Sequence, residues 1–187
     1  WYRTQAYYNS GGWRATWKGE GGGVILNQCP HQLDLWQWIF GMPKTIRAFC
    51  AEGKYHNIEV EDDVTAYAEY ENGATGVFIT TTGEYPGTNR LEISGDKGKL
   101  VIEGSSMKFW KNNTPEREWT FTTTEGFKGP GCEVIDVDYS EYKMDKEQHR
   151  GITQNVTNAI LKGEKLMAPG EEGINGLRIS NAIFLSS

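Results

Sequence analysis

Four side chains between residues 27 and 38 carry most of the chemistry this chain could perform. Asn27, His31, Asp34 and Trp38 follow one another at spacings of four, three and four. At about 100° per residue they fall on one side of a helix. An amide, an imidazole, a carboxylate and an indole in one stripe can hold a polar ligand. The histidine can exchange a proton near neutral pH, with a carboxylate close by to tune it. The same stripe also reads as a solvated helix face with no particular task. Other chemistry in this stretch has less support. The glycines of "GEGGG" (19–23) lack the GxGxxG spacing and the P-loop lysine of a phosphate cradle. Cys29 and His31 are two residues apart, so on a helix they diverge by about 200° and cannot share a metal ion. No metal site is expected.

The element that must position the stripe is a helix over residues 22–40. Ile25, Cys29, Leu33, Trp36 and Phe40 recur on its other side at spacings of four, four, three and four, which marks a packing face. Gly41 and Pro43 supply the stop signal. Pro30 lies inside this span, where it cannot donate to the carbonyl of Leu26. It predicts a kink or bulge beside His31, or a helix that starts later. The glycines before the helix read as a tight approach to its first turn.

From about residue 44 to 123 the pattern changes to strands. "TIRAFCAEG", "DVTAYAEYENGATGVFITTTG", "RLEISGDKGKLVIEG", "MKFW" and "REWTFTTT" are rich in β-branched and aromatic residues. Asn72-Gly73 and "GDKGKL" mark hairpin turns, so an antiparallel meander is expected. Residues 1–8 read as an aromatic strand. Helices return at the end: Asp145 and Gln148 resemble a capping box, and Ile152, Val156, Ala159 and Ile160 make an apolar stripe closed by Lys162 and Gly163. Glu171 and Glu172 open a last helix, whose dipole favours acids there. The fold class is α+β, a single domain over residues 1–187: a predominantly antiparallel open sheet with helices on one face. The last helical pattern stops without a cap, and the chain is expected to be a fragment of a longer protein.

Composition narrows the partners. A net charge of −6 with no basic run argues against a nucleic-acid partner bound through a basic footprint. No apolar stretch approaches the roughly 20 residues that cross a bilayer, and no membrane partner is expected. Three cysteines without CxxC spacing fit a reducing cytoplasm rather than a disulfide scaffold.

"GGWRATWKGEGGGVILNQCPHQLDLWQWIFGMP" resembles the C-terminal domain of the Gfo/Idh/MocA oxidoreductases, whose members carry a pattern of the kind GGGxxxDxGxHxxD. The matching positions are Gly21, Gly22 and Gly23, then Asn27, His31 and Asp34. "RLEISGDKGKLVIEG" is similar to the family's sheet segment and "EEGINGLRISNAIFLSS" to its last helix. The resemblance implies an N-terminal Rossmann domain that binds NAD or NADP, and hydride transfer on a sugar or polyol. The 187 residues hold no dinucleotide fingerprint and no Glu-Lys-Pro segment with the family's catalytic lysine, so the isolated chain is expected to be inactive. By the same resemblance His31 is the catalytic acid/base. Asn27 stands where the family has a catalytic aspartate; it cannot carry a proton, but it can hydrogen-bond a substrate hydroxyl. Trp13, Arg14 and Asp34 are candidate substrate-binding residues, with structural roles equally open for the first two and slightly favoured for Asp34. Family members pair subunits through the open sheet face, which implies a homo-oligomer, a dimer or tetramer. Val64, Ala66, Ala68 and Tyr70 alternate with Thr65, Tyr67 and Glu69, so both faces have apolar or aromatic groups to bury. Seven tryptophans and the asparagine at 27 support an alternative, a non-catalytic carbohydrate-binding or scaffold domain.

Overall fold

The computed structural model describes residues 1–142 and 148–187. Two compact units emerge: residues 1–87 with 149–187, and residues 88–148. The class is α+β, as expected, with the strands divided between two antiparallel sheets of three and four strands.

In the first unit, β1 (Thr45–Glu52), β2 (Glu61–Glu69) and β3 (Thr75–Thr81) form a meander in the order 1-2-3. Asn72 and Gly73 close the β2–β3 hairpin as predicted, and Asn72 Oδ1 accepts the Ala74 N–H at 3.0 Å. The alternation sorts the side chains as the sequence requires. Val64, Ala66 and Ala68 are buried, while Thr65, Tyr67 and Glu69 face outward with Phe49, Val77 and Ile79. Register pairs Ala48 with Ala66 and Ala66 with Phe78, so small residues line much of the inner face. Those small residues let helices approach closely: Trp36 stacks on Phe78 with centroids 5.4 Å apart, above Gly76. The last helix, α5 (Gly170–Ser186), lies against β1 and buries Ile179 and Ile183 in the same core. Glu171 and Glu172 occupy its first turn.

The predicted helix over 22–40 is two pieces. Val24–Gln28 winds as one π-turn; Cys29 breaks it, and Pro30 is the first residue of α2 (Pro30–Phe40). Proline is tolerated at a helix's first position because the missing N–H has no intrahelical partner there. The packing face survives the break, since Ile25, Cys29, Leu33 and Trp36 are all buried, with Phe40 packed beside them. Gly41 ends α2 with φ +77° and donates its N–H to Gln37 at 2.8 Å.

Two other segments depart from expectation. Residues 5–8 form a short helix, α1 (Gln5–Tyr8), rather than a strand, because Thr4 caps it by accepting the Tyr7 N–H. A buried clamp holds this segment to the sheet. The Asp62 carboxylate accepts the N–H groups of Lys54, Tyr55 and His56 and meets His56 Nδ1 at 2.9 Å, while His56 Nε2 lies 2.9 Å from the Arg3 carbonyl. Most of "REWTFTTT" (117–124) falls in a helix, α3 (Glu116–Thr122), instead of a strand; Pro115 precedes it, and Glu116 and Glu118 in its first turn suit the helix dipole.

In the second unit, β4 (Arg90–Gly95), β5 (Gly98–Glu103), β6 (Ser106–Asn112) and β7 (Cys132–Asp136) make a meander, with α3 in the β6–β7 connection. The turn within "GDKGKL" pairs Gly95 with Gly98.

The proposed Asp145–Gln148 capping box lies outside the described residues. In α4 (Gln148–Lys162) the stripe of Ile152, Val156 and Ile160 is exposed. The inward residue is Asn155, which bonds Glu164, the Lys165 carbonyl and the Met167 N–H and so folds back the chain that follows the helix.

Candidate functional site

The π-turn owes its position to a buried carboxylate. Glu61, at the start of β2, accepts the Gly23 N–H at 2.8 Å and the Ile25 N–H at 3.1 Å. Burial pushes its carboxyl up, against the pull of those two donors. Gly23 is glycine because a Cβ there would stand 1.9 Å from the Glu61 carbonyl oxygen. The glycine run is thus a close helix–strand contact, and the N–H groups of Gly23 and Ile25 already hold a carboxyl group of the chain itself.

Asn27, in the π-turn, is the centre of a polar network. Its Oδ1 accepts from the Tyr7 hydroxyl at 3.3 Å and from the Gln28 amide, and its Nδ2 donates to Glu20. Arg14 donates to the Tyr7 hydroxyl at 2.9 Å, and Gln28 donates to the same oxygen at 3.0 Å. The Arg14 guanidinium stacks over the rings of Tyr7 and Trp13, 4.6 and 4.5 Å from their centroids. Trp13 is half exposed beside it.

His31 and Asp34 lie one turn apart at the exposed start of α2. They line a groove of about 450 Å³ whose other wall is the start of α5, including Pro169, Glu172 and Leu177. His31 has no hydrogen bond among the described residues, whereas Asp34 accepts from Gln37 at 3.1 Å. Trp38, the last member of the stripe, is 73% exposed. The structure therefore joins Trp13, Arg14 and Asn27 through Tyr7, and places His31 with Asp34 in the groove. The bonds around Asn27 do not include His31.

Tyr7, Glu20 and Gln28 complete the network, and the sequence reading did not single them out. Tyr7 was hidden by reading residues 1–8 as a strand; Glu20 sat inside a glycine run. Cys29 takes no part: burial pushes its thiol up to about 12, and it donates to the Val24 carbonyl inside the core. Among the described residues no group of three or more His, Cys, Asp or Glu side chains could hold a metal ion. No described helix is long and apolar enough to cross a membrane.

An antiparallel sheet backed by helices, with a polar cluster and a groove at the start of one of them, defines an α+β domain that carries a candidate ligand site. The family model for the GFO/IDH/MocA C-terminal domain matches residues 1–101, and the chain belongs to that family. Over its whole length it superposes on the WlbA dehydrogenase from Bordetella pertussis, solved in complex with NADH and UDP-GlcNAcA, with a TM-score of 0.71 and 25% identity, covering 49% of that protein. It is 29% identical over 125 residues to bovine (Bos taurus) trans-1,2-dihydrobenzene-1,2-diol dehydrogenase, 60% of this chain and 37% of that one. It is also 31% identical over 96 residues to the probable D,D-dipeptide-binding periplasmic protein DdpA of Escherichia coli (strain K12), 50% of this chain and 18% of the other. The chain thus spans half or less of each relative.

Proposed function

We propose that this chain is the substrate-binding and proton-handling domain of an NAD(P)-dependent sugar or polyol dehydrogenase. Family membership supports the reading, as do the NADH and UDP-GlcNAcA held by the WlbA dehydrogenase. The observation that carries it is His31: an exposed imidazole without a protein partner among the described residues, on the first turn of α2, lining a groove four residues after Asn27. In this role His31 takes the proton of a sugar hydroxyl as that carbon is oxidised, and returns it in the reverse direction. Asn27 has one amide N–H left to orient the hydroxyl, since its oxygen is engaged twice and its other N–H by Glu20. Asp34 lines the groove beside His31, Trp13 offers a ring for a sugar face, and Arg14 donates from the edge.

A nicotinamide dinucleotide, NAD or NADP, accepts or returns the hydride when bound to the whole protein. The residues present do not fit it: both sheets are antiparallel, and the N–H groups of Gly23 and Ile25 hold Glu61. We therefore assign it to a dinucleotide-binding domain of the whole protein and expect the 187 residues alone to be inactive. The outer face of the first sheet, with Phe49 81% and Ile79 71% exposed, supports pairing with a second copy of the chain. The three free cysteines fit a reducing cytoplasm. With a net charge of −6, neither nucleic acid nor a membrane is proposed as a partner.

The test is His31→Ala in the full-length protein, assayed for reduction of NAD and NADP with a panel of sugars and polyols. Turnover is expected to fall ~100-fold or more, the usual scale of acid–base help, with a smaller change in KM. Near-normal turnover rejects His31 as the acid/base. The engaged amide of Asn27, which cannot carry a proton, favours one other reading: a carbohydrate-binding module. Tight sugar binding by the full-length protein without turnover would select it.

A further inference from the structure

Arg3 and Arg14 bring two positive charges to one aromatic ring with no counter-ion. Their guanidinium carbons lie 5.3 and 4.6 Å from the centroid of Tyr7. Among the described residues neither is within ion-pair distance of a carboxylate. Glu20, the carboxylate of this network, has both oxygens occupied: one accepts the Ala15 N–H at 2.5 Å and the other the Asn27 amide. Arg14 uses Nη1 on the Tyr7 hydroxyl, and Arg3 uses Nη1 on the Tyr2 carbonyl at 2.9 Å. A guanidinium has five N–H donors, so most of each fork is unspent on protein. Both side chains are half-buried, in a chain whose net charge is −6. The Arg14 guanidinium also lies over both the Tyr7 and the Trp13 ring. A planar, pre-positioned and unpaired guanidinium is the arrangement that binds carboxylate or phosphate with paired hydrogen bonds.

The Tyr7 hydroxyl connects Arg14 to Asn27, so this positive edge belongs to the same site. Resting on the sugar-binding reading above, we propose that the substrate is an anionic sugar, bearing a carboxylate or a phosphate, and that Arg14 binds this group with Arg3 adding charge behind it. Arg14 is then the residue that selects the substrate class. Tyr7 is a positioning residue that holds the guanidinium and the Asn27 amide in fixed relation.

The experiment uses the full-length protein and three probes: D-glucose, D-glucuronate and D-glucose 6-phosphate. Binding is measured by calorimetry at two salt concentrations, and turnover with NAD and NADP is followed in parallel. At least one anionic probe is expected to bind about 10- to 100-fold more tightly than glucose, the scale of hydrogen bonds to a charged group. Which anion gains more identifies the source of the charge. Arg14→Gln should collapse the anion-to-glucose ratio toward one, Arg14→Lys should restore part of it, and Arg3→Gln should lower it less. Equal binding of all three probes by the wild-type protein overturns the inference without any variant having to fold. So does a loss in Arg14→Gln that is the same for glucose as for the anions, and so does the absence of binding by any probe. Arg14-dependent anion binding with no turnover leaves the inference standing and removes the dehydrogenase reading. Turnover of glucose with no advantage from charge does the reverse.

Discussion

Alanine substitution along Gly21, Gly22 and Gly23 separates three different costs within one run of glycines. At Gly23 an added Cβ would stand 1.9 Å from the Glu61 carbonyl oxygen and 2.9 Å from Val60 Cγ2, both in buried residues. The π-turn and β2 would have to part by more than an ångström, and the 2.8 Å bond from the Gly23 N–H to Glu61 crosses that gap. Overpacking a tight core costs about 1–3 kcal/mol. Unmaking a hydrogen bond to a buried carboxylate adds about 1.5–3 kcal/mol. Since one movement serves both, about 3–5 kcal/mol is expected for Gly23→Ala. At Gly22 the same methyl meets the ends of Leu26 and Phe184 at 3.0 and 3.1 Å, side chains that can turn aside; about 1 kcal/mol suffices there. At Gly21 nothing approaches within 4 Å except Leu26 Cδ1 at that distance, but φ is +76°. A left-handed residue with a Cβ costs about 1 kcal/mol. Urea unfolding followed by tryptophan fluorescence and far-ultraviolet circular dichroism gives the three values from shifts in midpoint. A Gly23→Ala loss within about 1 kcal/mol of its two neighbours would refute the close contact between the π-turn and β2.

Glu61 gives a pH signature and the outer sheet face an assembly test. Because burial pushes the folded carboxyl up, the folded chain holds that proton more tightly than the unfolded chain does. Its contribution is full below the unfolded value and is lost as pH rises through the raised folded one. The stability of wild type relative to Glu61→Gln should therefore fall as pH rises upward from the ordinary carboxylate range; urea midpoints with parallel pH profiles would contradict this. Phe49 and Ile79 both pair with Thr65 across the sheet. Phe49→Glu is expected to shift the full-length protein toward monomer in sedimentation velocity, and an unchanged distribution removes this face as the contact.

The sequence was most readable where one periodicity meets one neighbour. Ile25, Cys29, Leu33 and Trp36 kept a common packing face through a π-turn and a helix break, because burial constrains direction rather than exact winding. Pro30 announced the interruption, and its placement at the start of α2 is the form that proline chemistry favours. The division into two sheets was not readable, since β-branched runs and hairpin turns specify local pairs and not which hairpins join. Residues 116–122 misled for a related reason: β propensity is weak, and Pro115 with two early acids outweighed it. The candidate site divided in the same way. Arg14 and Asn27 could be named from their types, but the Tyr7 hydroxyl that links them acts across 20 residues of sequence and has no pattern of its own. The buried acids Glu61 and Asp62 were passed over because strand alternation treats adjacent carboxylates as one solvated pair, whereas each here holds a separate loop by its N–H groups.

The orientation of the Asn27 amide has a consequence for exchanging it. Its nitrogen faces Glu20, an acceptor only, and its oxygen faces the donors Tyr7 and Gln28. An aspartate at 27 would set two carboxylates against each other with no donor between them, and one would have to keep a proton. Positions 20 and 27 therefore form a single two-residue choice: placing an acid at 27 calls for Glu20→Gln in the same molecule. The carboxyl group of this network thus belongs to Glu20, one hydrogen bond away from position 27.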